Sequence, residues 1–192
     1  PQPTKEQNLK FLREAIRYFN QRGFYHLRDM SGFWSQWELL RELDLNQELT
    51  LYIEENFTCE NIQDFQRALK EALQARASET KHLRAAGIKF YFDGALGSQG
   101  AFLSQFYPGT TSCGLTLWPL PDVEKVIEET WRNGFEVCIH TIGDEAAHQM
   151  ALCAQRVQER TGVVGLINIE HSEVLRYETV QILSELKAIC HI

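Results

Sequence analysis

The sequence predicts an α/β fold in which parallel strands alternate with crossover helices. Three observations carry that prediction: short runs rich in Val, Ile and Phe recur along the chain, helical stretches separate them, and Gly or Pro marks many of the junctions. Parallel pairing with right-handed crossovers follows, because adjacent parallel strands need a long connection between them. An open doubly wound sheet and a (β/α)8 barrel both satisfy the pattern. A barrel usually takes about 250 residues, so a chain of 192 with roughly six strands would be a barrel with pieces missing.

The elements follow in order. Thr4 and Gln7 have capping-box spacing, and Leu9, Leu12, Ile16 and Phe19 then recur at helical intervals until Gly23. FYHLRDM reads as a strand ending near Asp29, WSQWELLREL as a helix, LTLYIEE as a strand, QDFQRALKEALQAR as a helix and GIKFYF as a third strand. A loop from Asp93 to about Trp118 intervenes before Pro119 and Pro121 open the helix DVEKVIEETWRN, which Gly134 stops. FEVCIH, GDEAAHQMALCAQRVQERTG, VVGLINIEH, YETVQILSELK and AICHI then continue the alternation as strand, helix, strand, helix, strand. Residues 1–192 read as a single partial domain with no second one, and an end inside an apolar strand at His191 and Ile192 predicts an internal piece of a longer barrel.

Bulk properties exclude several partners. With 44% hydrophobic and 23% charged residues the composition is that of a folded globular chain. A net charge of -7 with scattered Lys and Arg offers no positive field for nucleic acid, and no apolar run is long enough to span a bilayer. The five cysteines are odd in number and lack a CxxC pair, which predicts reduced thiols and a cytoplasmic location.

In α/β architectures the working side chains gather at the carboxyl ends of the strands, here Asp29, Asp93, His140 and His171. His140 and His171 end consecutive strands and would be neighbours in space, where two neutral imidazoles suit zinc or a similar cation; a lone strand-end histidine is more often only hydrogen-bonded. Lys89, inside GIKFYF, is out of place on a buried strand. It reads as a Schiff-base lysine, a salt-bridge partner, a carboxylated metal-bridging lysine, or an edge lysine reaching water. The glycines of DGALGSQGA, including Gly94 and Gly97, would let the backbone turn sharply and approach a substrate or metal, with Asp93 at the loop's start. Asp144 reads as a helix cap more readily than as an acceptor orienting His140, and Glu170 should face away from His171 as a structural residue. His26, His82, His148 and His191, with Trp34, Trp37 and Trp131, read as packing.

The ordered motifs IKFYFDGALGSQGA, VCIHTIGD and NIEHSE resemble the YtcJ-like (amidohydrolase 3) branch of the amidohydrolase superfamily, whose pattern is close to VKLFADGALGSRGA, HAIGD and RIEH. The similarity runs over nearly the whole chain. It implies a metal-dependent (β/α)8 TIM-type barrel, represented here by roughly strands two to seven, without the first and last. It also implies one or two divalent ions, usually zinc, with Lys89, His140 and His171 as ligands and Asp93, Gly94, Gly97 and Asp144 around the substrate. The HxH pair and the general-base aspartate expected of the family lie outside this chain, so the resemblance implies hydrolysis of a small molecule's amide-type, non-peptide C–N bond by the parent protein and an inactive isolated piece. Gln99 and Asn168 stand where arginines are usual, and Arg28 where a histidine is common.

Two other classes compete with the metal hydrolase: a Schiff-base lyase using Lys89, and a degenerate barrel serving as a binding or scaffold module. An incomplete barrel also exposes strand edges, which a homo-oligomer would cover.

Overall fold

A computed structural model describes residues 3–192. Six helices, α1 (Lys5–Asn20), α2 (Trp34–Leu45), α3 (Ile62–Arg76), α4 (Leu120–Arg132), α5 (Asp144–Thr161) and α6 (Tyr177–Glu185), alternate with six strands. The strands are β1 (His26–Gly32), β2 (Tyr52–Thr58), β3 (Leu83–Tyr91), β4 (Glu136–Thr141), β5 (Ile167–His171) and β6 (Ala188–His191). Strand order in the sheet is chain order, β1 to β6, and the pairs β1–β2, β4–β5 and β5–β6 are parallel. The fold is a partial α/β TIM-type barrel.

Contacts divide the chain into two compact units, one running to Thr58 and including Arg67–Gly87, the other comprising Cys59–Gln66 and Ile88–Ile192. In the first unit α1 begins as its spacing requires: the Gln7 amide donates to the Thr4 hydroxyl and the Thr4 amide to the Gln7 side chain, closing a capping box. On β2, Ile53, Glu55 and Phe57 are buried on one face, and the Phe57 ring lies 6.1 Å from that of Trp37 on α2. Glu54, on the alternate face, pairs with Arg84 at 2.6 Å and with His26 at 3.3 Å. The β1–β2 register runs from His26↔Tyr52 to Asp29↔Glu55 and slips before Gly32↔Phe57, a bulge at the strand end.

In the second unit α4 buries Val123, Val126, Ile127, Thr130 and Trp131, and α5 buries a row of alanines with Met150, Cys153 and Val157. Pro119 caps α4, and Gly134 takes a left-handed φ of 71° just past its end. Phe90 packs its ring 5.2 Å from Trp118 in the loop before α4, and alternation puts Lys89 and Tyr91 on the opposite face of β3. The cysteines are thiols, and none among the described residues is joined in a disulfide. No helix among the described residues is long and apolar enough to cross a membrane.

Candidate metal centre

β3, β4 and β5 deliver their carboxyl ends to one rim of the second unit. Val137↔Ile167 through Thr141↔His171 sets the β4–β5 register, with His140 opposite Glu170 and Thr141 opposite His171. Strict alternation would therefore turn the His171 side chain away from His140. The backbone corrects this: His171 and the following Ser172 both adopt left-handed φ values, 79° and 43°, and the two imidazole rings meet edge to face with centroids 4.5 Å apart. Two successive non-glycine residues in that region are costly, and such strain collects at functional sites. The Ser172 hydroxyl donates to the Ile169 carbonyl at 2.9 Å and helps hold the turn.

His140 is the more enclosed of the pair. Both its ring nitrogens are shielded from solvent and neither makes a hydrogen bond. Burial, followed by the nearby His171 and Lys89, pushes its pKa down to about 4 against an opposing contribution from the Gly94 backbone, so the ring is neutral at pH 7. Lys89 is only 2% exposed. Its Nζ donates to the Phe90 carbonyl at 3.2 Å and sits 3.6 Å from the centroid of the Tyr91 ring, which in turn lies 5.2 Å from the His140 ring. Burial lowers the Lys89 pKa to about 8, and the nearby Cys138, Glu170 and Cys59 pull the other way. Among the described residues no three His, Cys, Asp or Glu side chains gather as a group that could hold a metal ion.

Asp93 stands at the foot of the glycine-rich loop, 1% exposed, and is committed to the backbone. It accepts from the amides of Phe102 (2.9 Å), Ile142 (3.0 Å) and Gly143 (2.8 Å), and its Oδ1 is 3.9 Å from His140 Nε2. Burial raises its pKa, opposed by those three amides. It thus clamps the loop after β3 to the loop after β4. The clamp needs glycine at 143, because a Cβ there would come within 1.9 Å of the Phe102 carbonyl oxygen. Gly94 lies against Gly100, donating its amide to the Gly100 carbonyl at 3.1 Å, while Gly97 has open space around it.

Asp144 does not cap α5, contrary to the expectation from its position: Gly143 is the cap residue, and the Asp144 carboxylate instead accepts from the amide (2.9 Å) and hydroxyl of Ser104. Burial opposes its ionisation, but Ser104 and then Arg176, at 3.8 Å, hold it below the usual carboxylate range. The long-range partner, forty residues away, outcompetes a local cap that a first-turn residue is poorly placed to make. Glu170 is buried, with Oε1 4.0 Å from His191 Nε2. The four histidines read as packing each find a partner: Glu54 for His26, Asp44 for His82, Thr179 for His148 and Asn168 for His191. Sequence reasoning missed Tyr91 and Ser104; alternation from Lys89 could have flagged the first, and nothing local marks the second.

Against this geometry the comparisons are informative. A solved metal-dependent hydrolase from Pyrococcus horikoshii OT3 is similar in structure with a TM-score of 0.78 at 23% identity, over 98% of this chain and 37% of its own. One from Pyrococcus furiosus has a TM-score of 0.75 at 22% identity, over 98% of this chain and 38% of its own. An Xaa-Pro dipeptidase with bound methionine follows at 0.65 and 14%, over 98% of this chain and 47% of its own. The chain therefore spans less than half the length of each of these structures. No curated protein matches it. The profile of the amidohydrolase family matches residues 1–192, and the chain belongs to that hydrolase family.

Proposed function

We propose that this chain supplies part of the active site of a divalent-metal-dependent hydrolase acting on an amide-type, non-peptide C–N bond of a small molecule. The observation that carries the proposal is His140: a buried, neutral imidazole with both nitrogens unbonded, its ring 4.5 Å from that of a second histidine held in a strained turn. An unsatisfied buried polar atom is costly, and a cation or a water bonded to one would offset that cost. The donor set fits a borderline-soft ion such as zinc, with His140 and His171 as ligands and Lys89, once freed of its proton or carboxylated, as the third.

A divalent ion bound there supplies Lewis acidity, polarising a carbonyl and acidifying a water. The chain's own residues do the rest. His140 and His171 present imidazole lone pairs to the rim, and Asp93 fixes the loops on either side of His140. The Phe90 and Tyr91 contacts keep the Lys89 amine out of bulk water, which keeps its pKa near 8. A general base is expected outside this chain, so the isolated piece is proposed to bind metal without turning over. The hydrolase neighbours support the metal, and the family supports the reaction class.

The test is zinc binding by the 192-residue chain, measured by calorimetry and elemental analysis. His140→Ala and His171→Ala should each weaken binding by at least the tenfold to hundredfold that even an outer-sphere partner is worth. Affinity in both variants equal to that of the unmodified chain, or no bound zinc in the unmodified chain, would overturn the proposal. The depressed Lys89 pKa also suits a Schiff-base amine; borohydride trapping of a carbonyl substrate on Lys89 in metal-free protein would favour that second reading.

A further inference from the structure

Tyr91 follows Lys89 by two residues on the same face of β3, and its ring touches both partners of the candidate centre. The Lys89 Nζ lies 3.6 Å from the ring centroid, and the His140 ring lies 5.2 Å from it at an interplanar angle of 43°. Exposure is sharply divided between the neighbours, 2% for Lys89 and 39% for Tyr91. The amine therefore lies beneath a ring whose outer surface meets solvent. It donates a hydrogen bond back to the carbonyl of Phe90 on its own strand and lies against the electron-rich ring face, an arrangement that suits an ammonium. An amine held this way is engaged by its own strand and by the ring.

We propose that Tyr91 is a gate over Lys89, a positioning residue that stores the amine against its ring and must swing aside before Lys89 can serve the histidine pair. For what lies beyond the gate this rests on the metal-centre reading; the gate itself rests only on the ring, the amine and their burial. The ring is suited to the task because it is on the exposed side of the contact. Rotation about its own side-chain bonds uncovers the amine and leaves the Asp93 clamp, which is made of backbone amides, undisturbed. Retention of Lys89 in this way keeps an uncommitted amine from reacting with stray electrophiles until the site is assembled.

The experiment is the labelling rate of individual lysines by cyanate in the 192-residue chain, read by peptide mass spectrometry. Lys70, Lys81 and Lys187, all exposed, serve as internal references. In the unmodified protein Lys89 should react at least tenfold more slowly than those references. Tyr91→Phe, which keeps the ring face, should behave like the unmodified protein. Tyr91→Leu and Tyr91→Met, which remove the face while keeping bulk, should each speed Lys89 at least fivefold relative to Tyr91→Phe and leave the references unchanged. If one of the two fails to fold, as judged by circular dichroism, the other decides.

Equal Lys89 rates in the aromatic and aliphatic variants, or a Lys89 as reactive as Lys70 in the unmodified chain, would overturn the gate. Zinc binding is measured on the same samples. A Tyr91-dependent rate in protein that takes up no zinc would uphold the gate and sink the metal reading, so the two failures are distinguishable.

Discussion

Two acids, Asp29 and Glu55, stand midway along β1 and β2, whereas the carboxyl halves of β3, β4 and β5 hold an amine and two imidazoles. Burial drives one member of each set, Glu55 and His140, toward its neutral form. Glu55 is fully buried with neither oxygen hydrogen-bonded, and burial, followed by the nearby Asp29, pushes its pKa up to about 9. His140 is likewise unbonded, and burial takes its pKa down to about 4. The chemical consequence differs. A neutral carboxylic acid has gained a proton and become a poor ligand, while a neutral imidazole has kept a lone pair and become a good one. Desolvation of the same kind thus disarms the first cluster and arms the second.

The sharpest way to break that contrast is at the residue that organises the second cluster. Asp93→Ala removes the shared acceptor of three buried amides, those of Phe102, Ile142 and Gly143, and should cost about 3–5 kcal/mol of stability, since each orphaned donor carries a penalty of about 1–3 kcal/mol. Asp93→Asn keeps one acceptor oxygen and should lose roughly half as much. Urea denaturation checks both, and a loss below 1 kcal/mol in the alanine variant would show that the clamp does not hold the loops.

Next in size is the pH response, in which the two clusters pull in opposite senses. Glu55 binds its proton more tightly when folded, so between about pH 4.5 and 9 the folded state carries a proton that the unfolded state has released. Stability then falls as pH rises through that window, by up to about 1.4 kcal/mol per pH unit. His140 works the other way: its folded pKa is depressed, so the unfolded state takes up the proton first and stability falls as pH drops from about 6.5 toward 4. Thermal melts of Glu55→Gln from pH 4 to 9 should lose the alkaline slope and keep the acid one. An alkaline slope that survives the substitution would remove Glu55 as its cause.

The same contrast explains what could be read from sequence. Periodicity reports which face of a strand is buried, and it placed His140 and His171 at the ends of consecutive strands and Lys89 inside a third; the Thr4–Gln7 box was legible because both partners lie within one helical turn. Three features were not legible. The His171 turn depends on a φ of 79°, which breaks the alternation rule rather than following it. The Asp144–Ser104 contact joins residues forty apart, and no local spacing encodes it. Alternation from Leu51 and Ile53 puts Glu55 rather than Glu54 on the buried face, but its contact with Asp29 and Gly32 depends on the β1–β2 register.

The smallest expected effects separate the two clusters once more, through the side chains that tie their acids. Gln36 Nε2 donates to Asp29 at 2.6 Å, and the Ser31 amide donates to the same carboxylate at 2.9 Å. The Asp144 carboxylate, by contrast, has the Ser104 amide and Arg176 in reserve behind the Ser104 hydroxyl. A bond to an ionised group is worth about 1.5–3 kcal/mol, and less where other donors remain. Gln36→Met should therefore cost about 1.5 kcal/mol and Ser104→Ala about 0.5 kcal/mol in urea melts at pH 7. The order matters more than either value: a larger loss at Ser104 would mean that the hydroxyl, and not the amide, carries the tie between the glycine-rich loop and α5.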